Sequence, residues 1–344
     1  MDNYINLPLV TVCTLIYNSG ERVIMALESV LKQYYPQERI QNIVIDDGSA
    51  DNSAEIVKEW IDTHQFSCTF IRHKKNEGIC KSLNDGLNLA EGKYFSSLGD
   101  DLWKPERLQI LVREFEKLPE EYALLHTPVD FCNESGSITE ENFSRRNKIM
   151  EGEVFFEILC NGSMVIAPSV IYRTIHLKEA GSFNEQMIYE DLDMQLKLAQ
   201  KYLFKYIPKP LVIYRREIKN SSNSDFFIRD GAYVLPLYYI RITSQFLGKS
   251  KQIDRIILRN NTAAYRVFHI SKYSSDTKSI SFFVYSFFDP YILNYLRIKR
   301  LAINYFIQLF KILIFRNRAG YTLRDVGYLF KLFFNNKIPA EALK

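Results

Sequence analysis

Three of the chain's adjacent acidic pairs stand where strand-like or helix-like runs end or begin. Asp100 and Asp101 close YFSSLGDDLW (94–103), with Pro105 just beyond. Asp46 and Asp47 close IQNIVIDDGS (40–49), and Glu190 and Asp191 open YEDLDMQLKLA (189–199). Like charges side by side repel unless a cation or a hydroxyl-rich ligand occupies the space between them. Ligands made only of oxygen suit Mg²⁺ or Mn²⁺, which take one or two carboxylates and fill their shell with substrate phosphate oxygens. Each pair alone has a plainer account. DDGS reads as a capped strand-to-helix turn, GDD as turn chemistry before a helix, and the acids at 190–193 as partners of a helix dipole. Their recurrence after successive strands is what those accounts leave unexplained.

The elements that must position these acids follow from periodicity. LVTVCTLI (9–16) is a continuous apolar, β-branched run, as a buried parallel strand requires. GERVIMALESVLKQ, SADNSAEIVKEWIDTH and EGICKSLNDGLNLAEG (77–92) carry helical spacing, and IQNIVID, CTFIRH (68–73) and KYFSSL read as the strands between them. PERLQILVREFEKL is a further helix with Pro105 at its first position. Short strands are expected around 122–129, 163–173 and 204–215, and a helix near Tyr189. Strands alternating with helices predict an α/β, mostly parallel, doubly wound sheet. Ligands of such sheets lie outside the C-terminal strand ends, where Tyr17–Asn18, DDGS and GDD would meet.

Composition narrows the classes. The 344 residues are 47% hydrophobic and 24% charged, ample for a core. No GxxxxGK[ST], GxGxxG or GxSxG is present, which argues against P-loop, dinucleotide and α/β-hydrolase chemistry. Cys13, Cys68, Cys80, Cys132 and Cys160 lack metal or disulfide spacing, and the five histidines read as surface or packing residues. MDNYINLPLV has neither a basic start nor an apolar signal core, so a reducing cytoplasm is expected.

In chain order, VTVCTLIYN, DDGSADNS (46–53), NEGICKSLNDGL (76–87), KYFSSLGDDLWKP, PSVIYRTIHLKEAGSFNE (168–185) and EDLDMQLKLA together resemble one known family. It is the inverting, nucleotide-sugar-dependent glycosyltransferases of family 2, bacterial surface-polysaccharide type, with the Rossmann-like GT-A fold. The resemblance covers residues 8 to 220. It implies that Tyr17 stacks on the nucleotide base with Asn18 nearby, and that Asp47 or its neighbour Asp46 hydrogen-bonds the base. Lys81 would reach the phosphates. Asp100 and Asp101 would hold ribose and Mn²⁺ or Mg²⁺ between them. Asp191 would be the general base, with Glu190 as second candidate. The implied partners are a nucleotide-sugar donor, UDP-linked in the commonest case, and a glycan or polyprenyl-diphosphate-linked acceptor.

The sequence departs from the family in places. Leu98 stands where many relatives carry the first acid, Leu15–Ile16 where Pro-Thr is usual, and Glu217 of YRRE (214–217) where histidine is common. QxxRW, the mark of processive polymer synthases, is missing, with QLKLA (195–199) in its neighbourhood, so one sugar per encounter is expected.

Charge divides the chain. Residues 1–230 hold 26 Lys/Arg against 35 Asp/Glu, a net of −9, and residues 231–344 hold 18 against 5, a net of +13. The expected domains are a catalytic body at 1–225 and a basic, aromatic-rich helical region at 226–344. YLRIKRLAINYFIQLFKILIFRNR (295–318) and LRDVGYLFKLFF (323–334) have no uncharged stretch of about 18 apolar residues, the threshold for spanning. Basic amphipathic helices of this kind lie on anionic leaflets, which predicts a peripheral protein on the inner face of the cell membrane. The bland alternative is a bundle covering the catalytic domain or a homo-oligomer contact. Such a tail is too apolar for nucleic acid. Two other functions compete: a sugar-nucleotide nucleotidyltransferase, for which IYNSGERV is a poor match to the required basic glycine loop, and an inactive relative serving as a membrane or assembly scaffold.

Overall fold

A computed structural model describes residues 7–133, 137–144, 149–162, 165–185 and 190–215, with 242–243, 245–246, 248–253 and 256–257 beyond them. Backbone contacts divide the chain into two units, Met1–Ala232 and Tyr233–Lys344. In the second, Ile242, Phe246, Ile253 and Ile257 are buried. The expected membrane-surface helices at 295–318 and 323–334, together with Glu217, lie outside the described residues.

The first unit begins with the anticipated alternation: β1 (Val10–Ile16), α1 (Arg22–Leu31), β2 (Ile40–Asp46), α2 (Ser53–His64), β3 (Thr69–Arg72), α3 (Ile79–Leu89) and β4 (Tyr94–Leu98). It continues through β5 (Leu102–Trp103), α4 (Arg107–Phe115), β6 (Tyr122–His126), β7 (Val129–Cys132), β8 (Ile138–Phe143) and α5 (Phe155–Asn161). Last come β9 (Ile171–Arg173), α6 (Thr174–Glu179), α7 (Glu190–Ala199), β10 (Leu203–Tyr206) and β11 (Val212–Arg215).

Seven strands form the main sheet in the order β10-β6-β9-β4-β1-β2-β3. Its neighbours run parallel except at β9, which is antiparallel to both β4 and β6. Every residue of β1 but Leu15 is buried, as a strand covered on both faces demands. α3 closes tightly on β1, because a side chain at Gly86 would bring its Cβ to 2.4 Å from Cys13 Sγ. Fully buried Phe115 stacks on Tyr94 at 4.6 Å between ring centres, fastening α4 to β4. Burial of a ring this size is worth about 2–3 kcal/mol.

Two features depart from the sequence reading. α4 starts at Arg107 and not at Pro105, because the Pro105 carbonyl accepts the Tyr34 N–H at 2.7 Å and residues 105–106 form a turn. A second sheet, β5-β11-β7-β8, was not foreseen. Its β5 has two residues, and β8 is polar and almost wholly exposed, so neither shows an apolar alternation.

Candidate active site

β4, β1 and β2 are neighbours, with Ile16 in register with Asp46 and Thr14 with Leu98. Parallel pairing therefore delivers Tyr17–Asn18, Asp46–Asp47 and Asp100–Asp101 to one edge of the sheet. The first two loops are stitched together. Asn18 N–H donates to Ser49 Oγ at 2.9 Å, Asn18 Oδ1 accepts Ala50 N–H at 2.9 Å, and Gly20 N–H reaches Ser53 Oγ at 2.8 Å. Asn18 takes φ +49 in this turn, which asparagine tolerates better than most residues. Tyr17 is left 49% exposed, a flat ring open to a ligand.

Asp46 is fully buried. Its Oδ2 accepts Ser49 N–H at 3.3 Å and faces Arg72 Nε at 3.4 Å, while Oδ1 has no partner among the described residues. Asp47 is committed differently. Oδ1 accepts Glu77 N–H at 2.9 Å and sits 2.8 Å from His73 Nδ1, and Oδ2 accepts Gly78 N–H at 2.9 Å. His73 Nε2 lies 3.1 Å from Asp85 Oδ2, and Asp85 pairs through Oδ1 with Lys81 one turn earlier on α3. That pairing raises the proton affinity of Lys81, so the ammonium stays charged.

At the end of β4 the surroundings change. Asp101 is buried, and its carboxyl is pushed up to about 7. Burial is the main cause, the Arg215 N–H opposes it, and the Asp100 charge adds to it. Asp101 Oδ1 accepts that N–H at 2.9 Å, and Arg215 Nε donates to the Asp100 carbonyl at 2.9 Å. Arg215 arrives because β11 runs antiparallel to β5, Ile213 opposite Leu102. Asp100 Oδ2 faces Arg22 Nε of α1 at 3.4 Å. A carboxyl buried beside a second one, with its affinity for protons raised, fits a place for a divalent cation, which would relieve both effects. Among the described residues no three His, Cys, Asp or Glu side chains are arranged to hold a metal. Asp100 and Asp101 are the two carboxylates that could hold such an ion, in keeping with ions that draw other ligands from phosphate and water.

The third pair is brought in by α3. Asn84 Nδ2 donates to the Phe183 carbonyl at 2.9 Å and to Glu185 Oε1 at 3.0 Å, and its Oδ1 accepts Phe183 N–H at 2.9 Å. These bonds anchor the segment that leads into α7. The Cys80 thiol, next to Lys81 on α3, is pushed up to about 12 by burial and then by Glu190, Asp193 and Glu185, which puts those acids close by. Buried Tyr172 of β9 likewise has its proton affinity raised by burial and by Asp191 and Glu190. Glu190 itself is shifted upward by burial and by the Asp191 charge. Asp193 turns inward to Lys197 at 2.7 Å, whereas Glu190 and Asp191 are partly buried.

An open groove of about 850 Å³ runs between α1 and α2, lined by Ile24, Met25, Ile56 and Trp60 and ending on Arg22 and Arg215. It reaches as far as Thr63 and His64, at the end of α2 remote from DDGS, so it is a helix-face groove and not the crevice at the strand ends.

Residues 11–181 match the model of Glycosyl transferase family 2. The chain belongs to that family. This family 2 protein is 27% identical over 297 residues to an uncharacterized glycosyltransferase of Haemophilus influenzae, covering 83% of this chain and 88% of that one. It is 29% identical over 206 residues to the poly-beta-1,6-N-acetyl-D-glucosamine synthase of Staphylococcus epidermidis, covering 57% of this chain and 47% of the synthase, about half its length. Among solved structures, S. aureus TarS 1–349 in complex with UDP-GlcNAc superposes with a TM-score of 0.60 at 18% identity, covering 81% of this chain and 79% of that one. The mannosyltransferase PcManGT of Pyrobaculum calidifontis, in complex with GDP-Man and Mn²⁺, gives 0.52 at 15% identity, covering 83% of each chain. The family 2 enzyme thus has the GT-A fold.

Sequence reasoning named the acids of this glycosyltransferase but missed most of what holds them. Arg215, Arg22, Asn84, Asp85 and His73 were not singled out, and His73 was read as surface or packing. It is 9% exposed and set between two carboxylates. The other described histidines do pack: His126 is buried against the Met150 carbonyl, His64 stacks on Trp60 and His176 on Tyr202. None of the five cysteines forms a disulfide.

Proposed function

We propose that this enzyme is an inverting transferase that moves one sugar from a nucleoside-diphosphate sugar, UDP-linked by preference, to a hydroxyl of a glycan or polyprenyl-diphosphate-linked acceptor during cell-surface polysaccharide synthesis. One observation carries the reading. The acid pairs after β2 and β4 are linked through the Tyr17–Arg22 loop, and α3 joins Asp47, through the Gly78 N–H at its start, to the segment before α7 through Asn84.

Within it, Tyr17 supplies a stacking face for the base, Asn18 fixes that turn, and Asp46 or Asp47 accepts from the base. Lys81 faces the diphosphate. Asp100 and Asp101 would hold Mn²⁺ or Mg²⁺, which when bound adds positive charge where the leaving diphosphate gains negative charge. Burial and the Asp191 charge raise the affinity of Glu190 for a proton, and Asp191 is the proposed base. Asp191 takes the acceptor hydroxyl's proton while its oxygen bonds to the anomeric carbon. The bond from that carbon to the diphosphate oxygen breaks, and its electron pair leaves with the phosphate. One displacement inverts the anomeric centre.

The deciding assay presents UDP- and GDP-sugars with Mn²⁺, beginning with UDP-GlcNAc and GDP-Man, which the TarS and PcManGT structures contain. The expected product has the anomeric configuration opposite to the donor's by NMR. Retention, or no turnover of any donor, sinks the reading. The proposed arrangement places the catalytic domain at 1–225 and sets the basic region at 226–344 against the inner face of the membrane. No helix among the described residues is long and apolar enough to cross a bilayer. Flotation with anionic liposomes should fall when 231–344 is removed, and equal flotation of both forms ends that idea.

A further inference from the structure

We propose that His73 is a positioning residue for the donor diphosphate, acting by keeping Asp85 paired when Lys81 turns from it to a phosphate. The inference rests on the reading of Lys81 as a phosphate-facing residue and adds the device that makes the lysine available.

Lys81 is already paired within α3. Its ammonium is held by Asp85 Oδ1, so reaching a phosphate means leaving that carboxylate. The Asp85 side chain is only 23% exposed, and a half-buried carboxylate stripped of its cation loses a charge-assisted bond that water replaces poorly. His73 removes that difficulty. Its Nε2 faces the other Asp85 oxygen at 3.1 Å, and its Nδ1 faces Asp47 Oδ1 at 2.8 Å. Carboxylate oxygens accept hydrogen bonds, and each ring nitrogen faces one of the two acids at hydrogen-bonding distance. Asp47 is fixed independently by the Glu77 and Gly78 N–H groups, which makes it a firm mount for the ring. The order Asp47–His73–Asp85–Lys81 alternates carboxylates with nitrogen-bearing side chains. Its last member can exchange partners without leaving Asp85 bare. Neither a surface nor a packing role for His73 accounts for two carboxylates on opposite edges of one buried ring.

The test is calorimetric titration of the full chain with UDP and with GDP, each with Mn²⁺, reading the dissociation constant of whichever binds more tightly. His73→Gln carries its N–H groups on a single nitrogen, so it cannot serve acids on opposite sides of the ring position. It should weaken binding about tenfold, the size of one charge-assisted bond. Lys81→Ala should weaken it similarly, and the double variant should be no weaker than Lys81→Ala alone. Turnover at saturating donor should change less than the dissociation constant. Wild-type affinity in His73→Gln, or losses that multiply in the double variant, overturns the proposal. Asp85→Asn supplies a route that does not depend on a folded His73 variant. With no carboxylate to strand, it should bind the nucleotide at least as tightly as wild type, and weaker binding also overturns the proposal. If neither nucleotide binds the wild type, or Lys81→Ala binds normally, the reading of the donor site itself has failed.

Discussion

The ends of β2 and β4 look alike in sequence, each an apolar strand closing on two aspartates, yet they are opposite kinds of site. At the end of β2, Asp47 is held by two backbone N–H groups and a histidine, and these bonds fasten one loop to another. At the end of β4, Asp101 is buried beside Asp100 with one backbone N–H, and its carboxyl is raised to about 7. The pair at the start of α7 belongs with the second kind, since Glu190 is raised by the same two causes. Hydrogen bonding to the charged form makes an acid part of the architecture. Burial beside a like charge makes it want a proton or a cation.

The sharpest test of that division is at α7. Asp191→Asn should lower transfer by ~10²–10⁴-fold, the usual worth of a general base, with nucleotide binding retained by calorimetry. Transfer at the wild-type rate would remove Asp191 from the chemistry and leave only two regions to compare.

Next comes the architecture of the β2 end. Gly48 has φ +68, and a Cβ there would lie 2.3 Å from the Lys75 carbonyl carbon. Gly48→Ala should cost about 3 kcal/mol in stability, since backbone must move and a strained φ is added. A melting temperature within a degree of wild type would contradict the packing described.

The two aspartates should then respond with opposite signs. Asp47→Asn places an amide where three donors point and should destabilise by about 1–3 kcal/mol at any pH from 5 to 8. Asp101 holds its proton between its ordinary 3.8 and about 7 when folded. Its contribution is therefore present at low pH and lost as pH rises through about 7. Asp101→Asn, which cannot ionise, should gain on wild type progressively as pH rises from 3.8 to about 7 and exceed it near pH 8 in EDTA, by thermal melting. It should also bind Mn²⁺ more weakly. Destabilisation by Asp101→Asn at pH 8 would erase the contrast.

The smallest effect is expected at Arg22, whose pairing with Asp100 is partly open to solvent. Surface ion pairs contribute little, so Arg22→Gln should change the donor KM by about threefold or less. A tenfold change would mean that Arg22 touches the donor.

The strands and helices were legible because their causes are local: an unbroken β-branched run, a 3.6-residue period, a glycine at a turn. Six of the seven strand–helix pieces from β1 to β4 fall within three residues of where periodicity put them, and the seventh, α2, starts late, at Ser53 where the helical stretch was read from Ser49. The acid pairs were legible for the same reason, being contiguous. The second sheet was not, since β5 is two residues long and β8 is polar.

What the sequence by itself determined was the family, the alternating fold and the identity of the acids, because each is written in short contiguous stretches. Tertiary structure alone decided what each acid does with its charge. Arg215 meets Asp101 across 114 residues, Asn84 meets Phe183 across 99, and His73 reaches back 26 to Asp47. Those separations follow from strand order and register, which are collective outcomes of packing the whole core, and no local pattern encodes the dielectric or the donors that an aspartate will find there.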